Sequence, residues 1–515
     1  MMINKKKLWL ACCLIALSPL TACSEDPLAT LTKADAELRE NDFVSARLYL
    51  LTYLQARPDD RAVLMKLARS ELFLGKGLEA QFALEKARKL GEPQESIQDI
   101  LVEALLLQEK TEKAFVEITK IPEARSARAA LLKGRAFAIS GDANSALSSL
   151  NDGLNKHPND AEILAETARV KLALNDIEGA NTAVATALKA DAKSHEVLLV
   201  AGELSLAQGR AQEAFDRFKS ALRLWPVSVR AMIGRAAAEG ELGHYDTMAK
   251  TLDTINGIDE NQPLAGLLRA QLLAKQSQWK RVLEIVDILG PKMTDQPLLF
   301  RLEGEAALAD GKPERATQAL TRYLSKKPDD RGAALLLAKA QLATGDASSA
   351  QKSLKPYADS NSASPAELRL MAKIAKALKL PSASEYDQKS QTPLPAFMAD
   401  RIGRGSGALA DNRWAAAIEI YEELNDSTGG KDPIVNNNLG WALYKAGRVD
   451  AAVKHLLIAV TAAPDNAAIA HSYGTALLAS GNDRDKAVKM LAKASMLAPT
   501  NAGYSADLKK AKAAR

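Results

Sequence analysis

The stretch Asn-Leu-Gly-Trp-Ala-Leu-Tyr-Lys-Ala-Gly at residues 438–447 decides the fold. It has the pattern of an amphipathic helix with a small residue at Gly440, and Gly447 supplies the left-handed turn that ends such a helix. A second helical pattern follows, whose small or apolar positions and closing proline are Ala452, Leu456, Ala459 and Pro464. The stretch therefore predicts two packed helices joined by a tight turn.

The same pattern recurs every 34 residues. Steps of 34 from the first position meet only Gly, Ala or Ser, at Gly134, Ala168, Gly202, Ala236, Ala270, Gly304, Ala338, Ala372, Ser406, Gly440 and Gly474. Four prolines are also separated by multiples of 34, namely Pro158, Pro226, Pro328 and Pro464. A fixed period of this length predicts a stack of similar structural units and not a set of separate globular domains.

Composition agrees with a helical chain. The 515 residues include 93 alanines, while aromatic residues make up only 5%. Alanine has the highest helix propensity, and its small side chain suits close packing of helices. Charged residues make up 25%, which argues against a disordered chain, and the formal net charge of +5 gives no indication of nucleic-acid binding.

The N-terminus has the features of a secretory signal peptide over residues 1–22. Three lysines at 5–7 precede an apolar run at 8–17 that is too short to span a bilayer as a mature helix. The following Leu-Thr-Ala-Cys at 20–23 resembles the bacterial lipobox, which implies that Cys23 is acylated and becomes the first mature residue. The next residue, Ser24, implies sorting to the outer membrane, on its periplasmic face. An ordinary signal peptide that happens to contain a cysteine is the alternative.

Removal of residues 1–22 changes two properties of the chain. The loss of three lysines lowers the formal net charge from +5 to +2. The other two cysteines, Cys12 and Cys13, are also lost, so an acylated Cys23 leaves no thiol for a disulfide, a nucleophile or a metal site.

The 34-residue units resemble the tetratricopeptide repeat, a helix–turn–helix motif. The resemblance covers about residues 27–500 and implies an all-α fold, a right-handed α-solenoid of about 13–14 repeats. With the lipobox-like segment, the stretch at 437–441 looks most like the repeat lipoprotein of exosortase (PEP-CTERM) systems in Gram-negative bacteria.

Departures from the period predict how the chain is divided. After a short tether at 23–26, an N-terminal array is expected over 27–378, with an irregular unit at 92–125 where the period falls two residues short. Residues 379–396, rich in Ser and Pro, are expected to form a degenerate unit or a hinge. A C-terminal array is expected over 397–500, and residues 501–515 are expected to form a polar capping helix.

No pattern in the sequence indicates catalysis. The five histidines match neither a zinc motif nor a nucleophile motif, so we expect no enzyme activity, no metal and no cofactor. The Gly-x-Gly run at 403–407 lacks the Gly-Lys-Ser/Thr of a phosphate-binding loop, and the repeat register places it inside a first helix.

Binding residues are expected on the first helix of each repeat, which lines the concave surface in this family. A basic stripe of Arg69, Arg128, Arg135 and Arg169 would suit an acidic peptide tail or an anionic polymer, unless these are scattered charges on a solvated face. A C-terminal group of Asn437, Trp441, Tyr444 and His471 would suit an extended peptide or sugar rings, unless it serves repeat packing.

These expectations favour a non-enzymatic scaffold that binds protein partners in the cell envelope. It would be anchored in the outer membrane through Cys23 and support export or assembly of the exopolysaccharide or exosortase type. One alternative is a periplasmic polysaccharide-binding protein of exopolysaccharide export. Another is an assembly factor for a secretin or a pilus.

Overall fold

The computed structural model describes residues 26–513, so the predicted signal peptide and Cys23 lie outside the described residues. Within that range the chain forms 29 α-helices and one 3₁₀ turn at Glu123–Arg125, and it contains no strand. The all-α repeat fold predicted from the sequence is therefore confirmed. None of the helices between residues 26 and 513 combines the length and apolar character needed to cross a membrane.

The helices fall into two compact units, one ending at Ile121 and the other beginning at Pro122. The first unit contains α1 (Pro27–Arg39), α2 (Phe43–Ala56), α3 (Arg61–Phe73), α4 (Gly77–Lys89), α5 (Gln94–Leu106) and α6 (Thr111–Ile118). Odd-numbered helices are the first helices of the repeats, and even-numbered helices are the second helices.

The second unit continues the alternation of first and second helices and ends in one unpaired helix. Its helices are α7 (Ser126–Ile139), α8 (Ala143–Lys156), α9 (Ala161–Ala173), α10 (Ile177–Ala190), α11 (His195–Ala207), α12 (Ala211–Leu224), α13 (Val229–Glu241), α14 (Tyr245–Ile258), α15 (Pro263–Lys275), α16 (Trp279–Leu289), α17 (Pro297–Ala309), α18 (Pro313–Lys326), α19 (Arg331–Ala343), α20 (Ala347–Ala358), α21 (Pro365–Ala377), α22 (Ala383–Lys389), α23 (Pro395–Ala410), α24 (Trp414–Ser427), α25 (Pro433–Lys445), α26 (Val449–Ala462), α27 (Ala467–Ser480), α28 (Arg484–Leu497) and α29 (Ala502–Ala513).

Each of the fourteen helix pairs turns through one residue with a left-handed backbone. These residues are Asn41, Gly75, Glu109, Gly141, Asn175, Gly209, Gly243, Ser277, Gly311, Gly345, Lys379, Asn412, Gly447 and Gly481. They are 34 residues apart except near α6, where one step is 32, and near α23, where successive steps are 33 and 35. The conformation closes the first helix, and an aspartate often follows to cap the second, as Asp142 accepts from the Ser145 amide at 3.0 Å.

Small residues bring the two helices of a repeat together. A Cβ added at Gly202 would lie 2.7 Å from the ring of Phe218, and one at Gly440 would lie 2.5 Å from Cγ of Leu456. In both repeats the large side chain stands sixteen residues after the glycine and is fully buried. The glycines at this register therefore serve close packing, which explains why the 34-residue series contains only small residues.

The irregular segments have shortened second helices. Helix α6, in the stretch predicted to be irregular, has eight residues and leads to the 3₁₀ turn. Helix α22, in the stretch 379–396, has seven residues, against fourteen in α18. Tyr386 of α22 still packs against the core around Leu354 and Met371, so this helix occupies the place of a second helix. A hinge in this stretch remains a prediction.

Candidate functional site

Four successive first helices of the second unit are joined by a ladder of ion pairs. It consists of Arg135 on α7, Glu166 and Arg169 on α9, Glu196 and Glu203 on α11, and Arg230 on α13. Arg135 Nε lies 3.1 Å from Glu166, Arg169 Nη2 lies 3.0 Å from Glu196, and Arg230 Nη2 lies 2.9 Å from Glu203. Arg169 also contacts Glu166 of its own helix and lies 3.6 Å from Glu203.

Two carboxyl groups of the ladder, those of Glu166 and Glu196, have lowered pKa values. Burial alone would raise the pKa of Glu196, but a hydrogen bond with His195 and the charges of Arg169 and Arg135 hold that pKa well below its usual range. The pKa of Glu166 is lowered in the same way, because the two arginines outweigh its burial. These two groups are therefore charged at neutral pH and pair with arginines of neighbouring repeats.

Only two of the four arginines of the predicted basic stripe belong to this ladder of ion pairs. Arg135 and Arg169 belong to the ladder, and Arg128 Nη1 lies 3.2 Å from Glu162 on the next first helix. Arg69 lies in the first unit, on α3, and is exposed. The surface around the ladder thus presents both signs of charge, and anion binding by these arginines remains a prediction.

The predicted C-terminal group lies on α25 and α27 and is completed by the last helix. The rings of Trp441 and Tyr444 are 5.3 Å apart, and His471 lies 6.4 Å from Trp441. Tyr504 of α29 stacks on His471 at 4.4 Å, and Asp507 accepts from His471 Nε2 at 3.1 Å. Docking of the capping helix therefore uses His471, while Trp441 and Tyr444 stay partly exposed.

The asparagines before Trp441 divide into structural and surface residues. Asn436 is fully buried and donates to the Gly430 and Asp432 carbonyls at 3.0 Å. Asn437 donates to Asn438 at 3.1 Å, and its buried Oδ1 has no hydrogen-bond partner among the described residues. Asn437 is thus the member of this run that keeps a buried, unpaired acceptor.

Sequence reasoning missed a contact inside the second unit between repeats six steps apart. A Cβ on Gly209 would lie 2.7 Å from Cδ of Arg413, and one on Gly243 would lie 3.0 Å from Cβ of Ala446. Between repeats four steps apart, Lys275 Nζ on α15 forms an ion pair with Glu419 on α24 at 3.2 Å. No short window of sequence reports such a contact, because it depends on how much each repeat rotates against the next.

A cavity of about 910 Å³ lies at this contact, between α13–α15 and α24. Its wall combines apolar side chains such as Met248 and Leu272 with the polar groups of Gln271, Tyr245 and Lys275. Burial raises the pKa of Tyr245, so this phenol is neutral and can donate a hydrogen bond. The size and the mixture of apolar and polar groups suit a side chain or a short extended segment of a ligand.

A second cavity of about 680 Å³ shares α24 with the first and is richer in charge. Its wall includes Arg301, Lys327, Arg404 and Glu423. Together the two cavities make α24 the common wall of a groove inside the second unit. Within the described residues no group of three or more His, Cys, Asp and Glu side chains is placed to hold a metal ion.

Comparison with family models identifies the repeats. Residues 166–229 and 402–467 match one tetratricopeptide repeat model, and residues 307–374 match another. The chain therefore contains tetratricopeptide repeats, as its sequence pattern indicates. No curated protein matches the chain.

Solved structures give weaker likenesses. The chain is similar to the APC/C hetero-tetramer Cut9–Hcn1 with 15% identity, over 96% of this chain and 98% of that one, with a TM-score of 0.32. It is similar to Pseudomonas aeruginosa pilF with 19% identity, over 42% of this chain and 98% of that one, with a TM-score of 0.35. A tetratricopeptide repeat protein from Parabacteroides merdae is 18% identical, over 52% of this chain and 100% of that one, with a TM-score of 0.34. We draw no functional conclusion from them.

Proposed function

We propose that this tetratricopeptide repeat chain is a protein-binding scaffold that is anchored by lipid in the bacterial envelope and has no catalytic role. The observation that carries the proposal is the groove along α24, where a cavity of about 910 Å³ offers apolar and charged groups side by side. Peptide segments are recognised by such mixed grooves, in which apolar pockets accept side chains and polar groups fix the backbone.

The site of action is proposed from the N-terminal sequence. The lysines at 5–7, the apolar run at 8–17 and the Leu-Thr-Ala-Cys at 20–23 support acylation of Cys23, and Ser24 supports the outer membrane. The stretch at 437–441 supports an export or assembly system of the exosortase (PEP-CTERM) or exopolysaccharide type. Deletion of the gene should then change exopolysaccharide or the sorting of envelope proteins, and unchanged levels of both would reject the pathway.

The anchor is tested by replacing the cysteine. Cys23→Ser should release the chain from the membrane fraction, while Ser24→Asp should keep the lipid and move the chain to the inner membrane. Fractionation and mass spectrometry of the N-terminal peptide measure both outcomes. Outer-membrane fractionation of Cys23→Ser would contradict the lipid anchor.

The protein-binding groove is tested by photo-crosslinking in intact cells. A benzoylphenylalanine at Gln271, inside the cavity, should crosslink to an envelope protein, whereas the same group at Lys352, exposed on α20, should not. Loss of this crosslinked partner in Leu268→Arg, a change at a half-buried residue of the cavity wall, would support the groove. Crosslinking that is equal at the two positions would contradict it.

A second candidate function is binding of polysaccharide during export. It is favoured by the partly exposed rings of Trp441 and Tyr444, 5.3 Å apart, because sugar rings stack on such aromatic pairs. Trp441→Ala should then abolish binding to the exported polymer, and Trp279→Ala on α16 should not. A role in secretin or pilus assembly would instead appear as loss of the assembled secretin or pilus in the deletion strain.

A further inference from the structure

Large apolar side chains lie exposed at the same place on the three second helices of the first unit. Leu48 on α2, Phe82 on α4 and Val116 on α6 stand 34 residues apart and are 63%, 61% and 58% exposed. Val44 and Leu78, four residues before the first two, are 48% and 46% exposed. We call these five residues the apolar row.

The repeat itself does not require apolar residues there. Leu48, Phe82 and Val116 each stand two positions after a buried alanine of their second helix, as Phe82 follows Ala80. The same place in the second unit is exposed and polar in ten second helices, at Ser148, Thr182, Asp216, Lys250, Glu284, Gln318, Lys352, Glu419, Lys454 and Lys489. The apolar row is thus a property of the first unit alone, and it points to a surface that is covered in the cell.

The position of the first unit in the chain indicates what covers the row. Helix α1 begins at Pro27, four residues after Cys23, and four residues reach at most ~14 Å. A lipid on Cys23 therefore holds the first unit at the membrane surface. The second unit begins only at Pro122 and has no such short tether to the lipid. A bilayer is the apolar phase that is always present beside these helices.

Charges on the same helices fit an interface with lipid headgroups. Lys89, exposed at the end of α4, stands two turns after Phe82, and Lys120, just beyond the end of α6 and paired with Glu117 at 2.7 Å, stands one turn after Val116. Lysine at this distance can place its amine among phosphates while its methylene stem covers apolar surface. Acidic residues such as Glu112 also lie on this face, so the apolar contacts and not the net charge would decide the binding.

We propose that the apolar row rests on the lipid bilayer that holds Cys23 and lays the first unit along the membrane surface. The inference rests on the lipid anchor of the proposed function. In this arrangement the lipid determines where the chain is held, and the row determines how the first unit is oriented at the surface.

The first experiment measures whether the row enters lipid. The chain is processed in cells, so that an acylated Cys23 leaves no other thiol, and Phe82→Cys carries a polarity-sensitive fluorophore. In vesicles of phosphatidylethanolamine and phosphatidylglycerol we expect a blue-shifted emission and quenching by brominated lipid. The matched control is Asp216→Cys, the equivalent position on α12, which should be quenched by aqueous iodide in the same vesicles.

The second experiment separates the row from the lipid anchor. At a high vesicle concentration the Cys23→Ser chain should still bind in flotation, but weakly and reversibly, so that washing releases it from the membrane fraction of cells. Adding Leu48→Ser, Phe82→Thr and Val116→Ser, residue types found at the equivalent places of the second unit, should weaken that binding roughly tenfold or more. Unchanged helicity and unfolding midpoint show that the triple variant is folded.

Each outcome decides between the two proposals. Iodide quenching at both labels would overturn the apolar row as a membrane surface, while an acyl group found on Cys23 by mass spectrometry would leave the anchor standing. A blue shift at Phe82→Cys without vesicles, together with a dimer in sedimentation that the triple variant lacks, would overturn the membrane in favour of a second copy.

Discussion

At the scale of single residues, some turns between helices contain a residue that is poorly suited to the left-handed backbone conformation. Asparagine adopts the left-handed conformation readily, as at Asn41, Asn175 and Asn412, and glycine does so without cost. Ser277, with φ of 56°, and Lys379, with φ of 55°, adopt it against their preference. The backbone conformation therefore repeats at every turn, whereas the residue type at the turn varies.

Replacing Ser277 by glycine should therefore stabilise the chain by about 0.5–1 kcal/mol, because relief of strain exceeds the added flexibility of the unfolded chain. Gly311→Ala should have the opposite effect, because Gly311 has φ of 72°, which strains any residue with a Cβ. No atom lies within 4 Å of the added Cβ, so no new contact offsets that strain. Urea unfolding measures both midpoints. A lower midpoint for Ser277→Gly would show that the turn is not strained.

The ion-pair ladder gives a second prediction at this scale. Arg169→Met should destabilise the second unit by about 2–4 kcal/mol at pH 7, because it leaves Glu166 and Glu196 without their central partner. Arg128→Met, whose partner Glu162 is 50% exposed, should cost less than ~1 kcal/mol.

The pH dependence of this effect follows from the lowered pKa values. Both carboxyls have folded pKa values below the ordinary 4.5, so their pairing stabilises the fold above that value and is lost as the pH falls through the folded pKa values. The difference between the wild type and Arg169→Met should shrink in urea unfolding at pH 3. An equal difference at pH 3 and pH 7 would mean that packing, and not charge, sets the effect.

At the scale of helices, the side chain of Phe218 is clamped between two first helices. A Cβ added at Gly202 on α11 would lie 2.7 Å from its ring, and one at Gly234 on α13 would lie 2.3 Å away. Gly234→Ala should therefore destabilise the chain by about 1–3 kcal/mol through overpacking. Combining it with Phe218→Leu should cost less than the sum of the two single changes.

A control for the helix backbone is available on the next helix. Gly257 lies inside α14, and a Cβ there meets no atom within 4 Å, so Gly257→Ala should stabilise by about 0.5–1 kcal/mol. The comparison uses unfolding free energies in a double-mutant cycle. Strict additivity of Gly234→Ala and Phe218→Leu would contradict the clamp.

The period in the sequence was sufficient to predict these helix pairs, since the turn at Gly447 and the small residue at Gly440 lie where the pattern places them. The spacing before Gly134 falls two residues short of the 34-residue period, and the short helix α6 lies in this segment. The partners of the predicted arginines were not predictable in the same way. Glu166 and Glu196 stand on neighbouring first helices, and single positions in the pattern do not show which way a charged side chain turns.

At the scale of the second unit, repeats that are distant in sequence meet. Leu242, at the end of α13, is 1% exposed and belongs to the same core as Trp414, five repeats later, and Leu439, six repeats later. The period predicts every repeat but not this contact, because small rotations between repeats add up over six steps before two surfaces touch. The larger cavity of the groove along α24 lies at this contact.

Ala446→Gln should open this contact without disturbing its own repeat. Ala446 is 4% exposed and faces Gly243, where a Cβ would already lie 3.0 Å away, so a longer side chain finds no room. The local turn accepts glutamine, since Gln208 and Gln276 stand at the equivalent place of other repeats. Thr344→Gln, at the same place on α19, is the matched control.

We expect Ala446→Gln to raise hydrogen exchange in α13 and α24 together, because each loses the surface that the other covers. Exchange in α7 and α8, which contribute to neither cavity nor to the contact, should stay as in the wild type, and Thr344→Gln should leave α13 and α24 unchanged. If the groove holds the protein ligand, the crosslink from Gln271 should also weaken in Ala446→Gln. Unaltered exchange in both helices would mean that each repeat is held in place by its neighbours in sequence alone. The contact between distant repeats would then result from the curvature of the array and would not stabilise it.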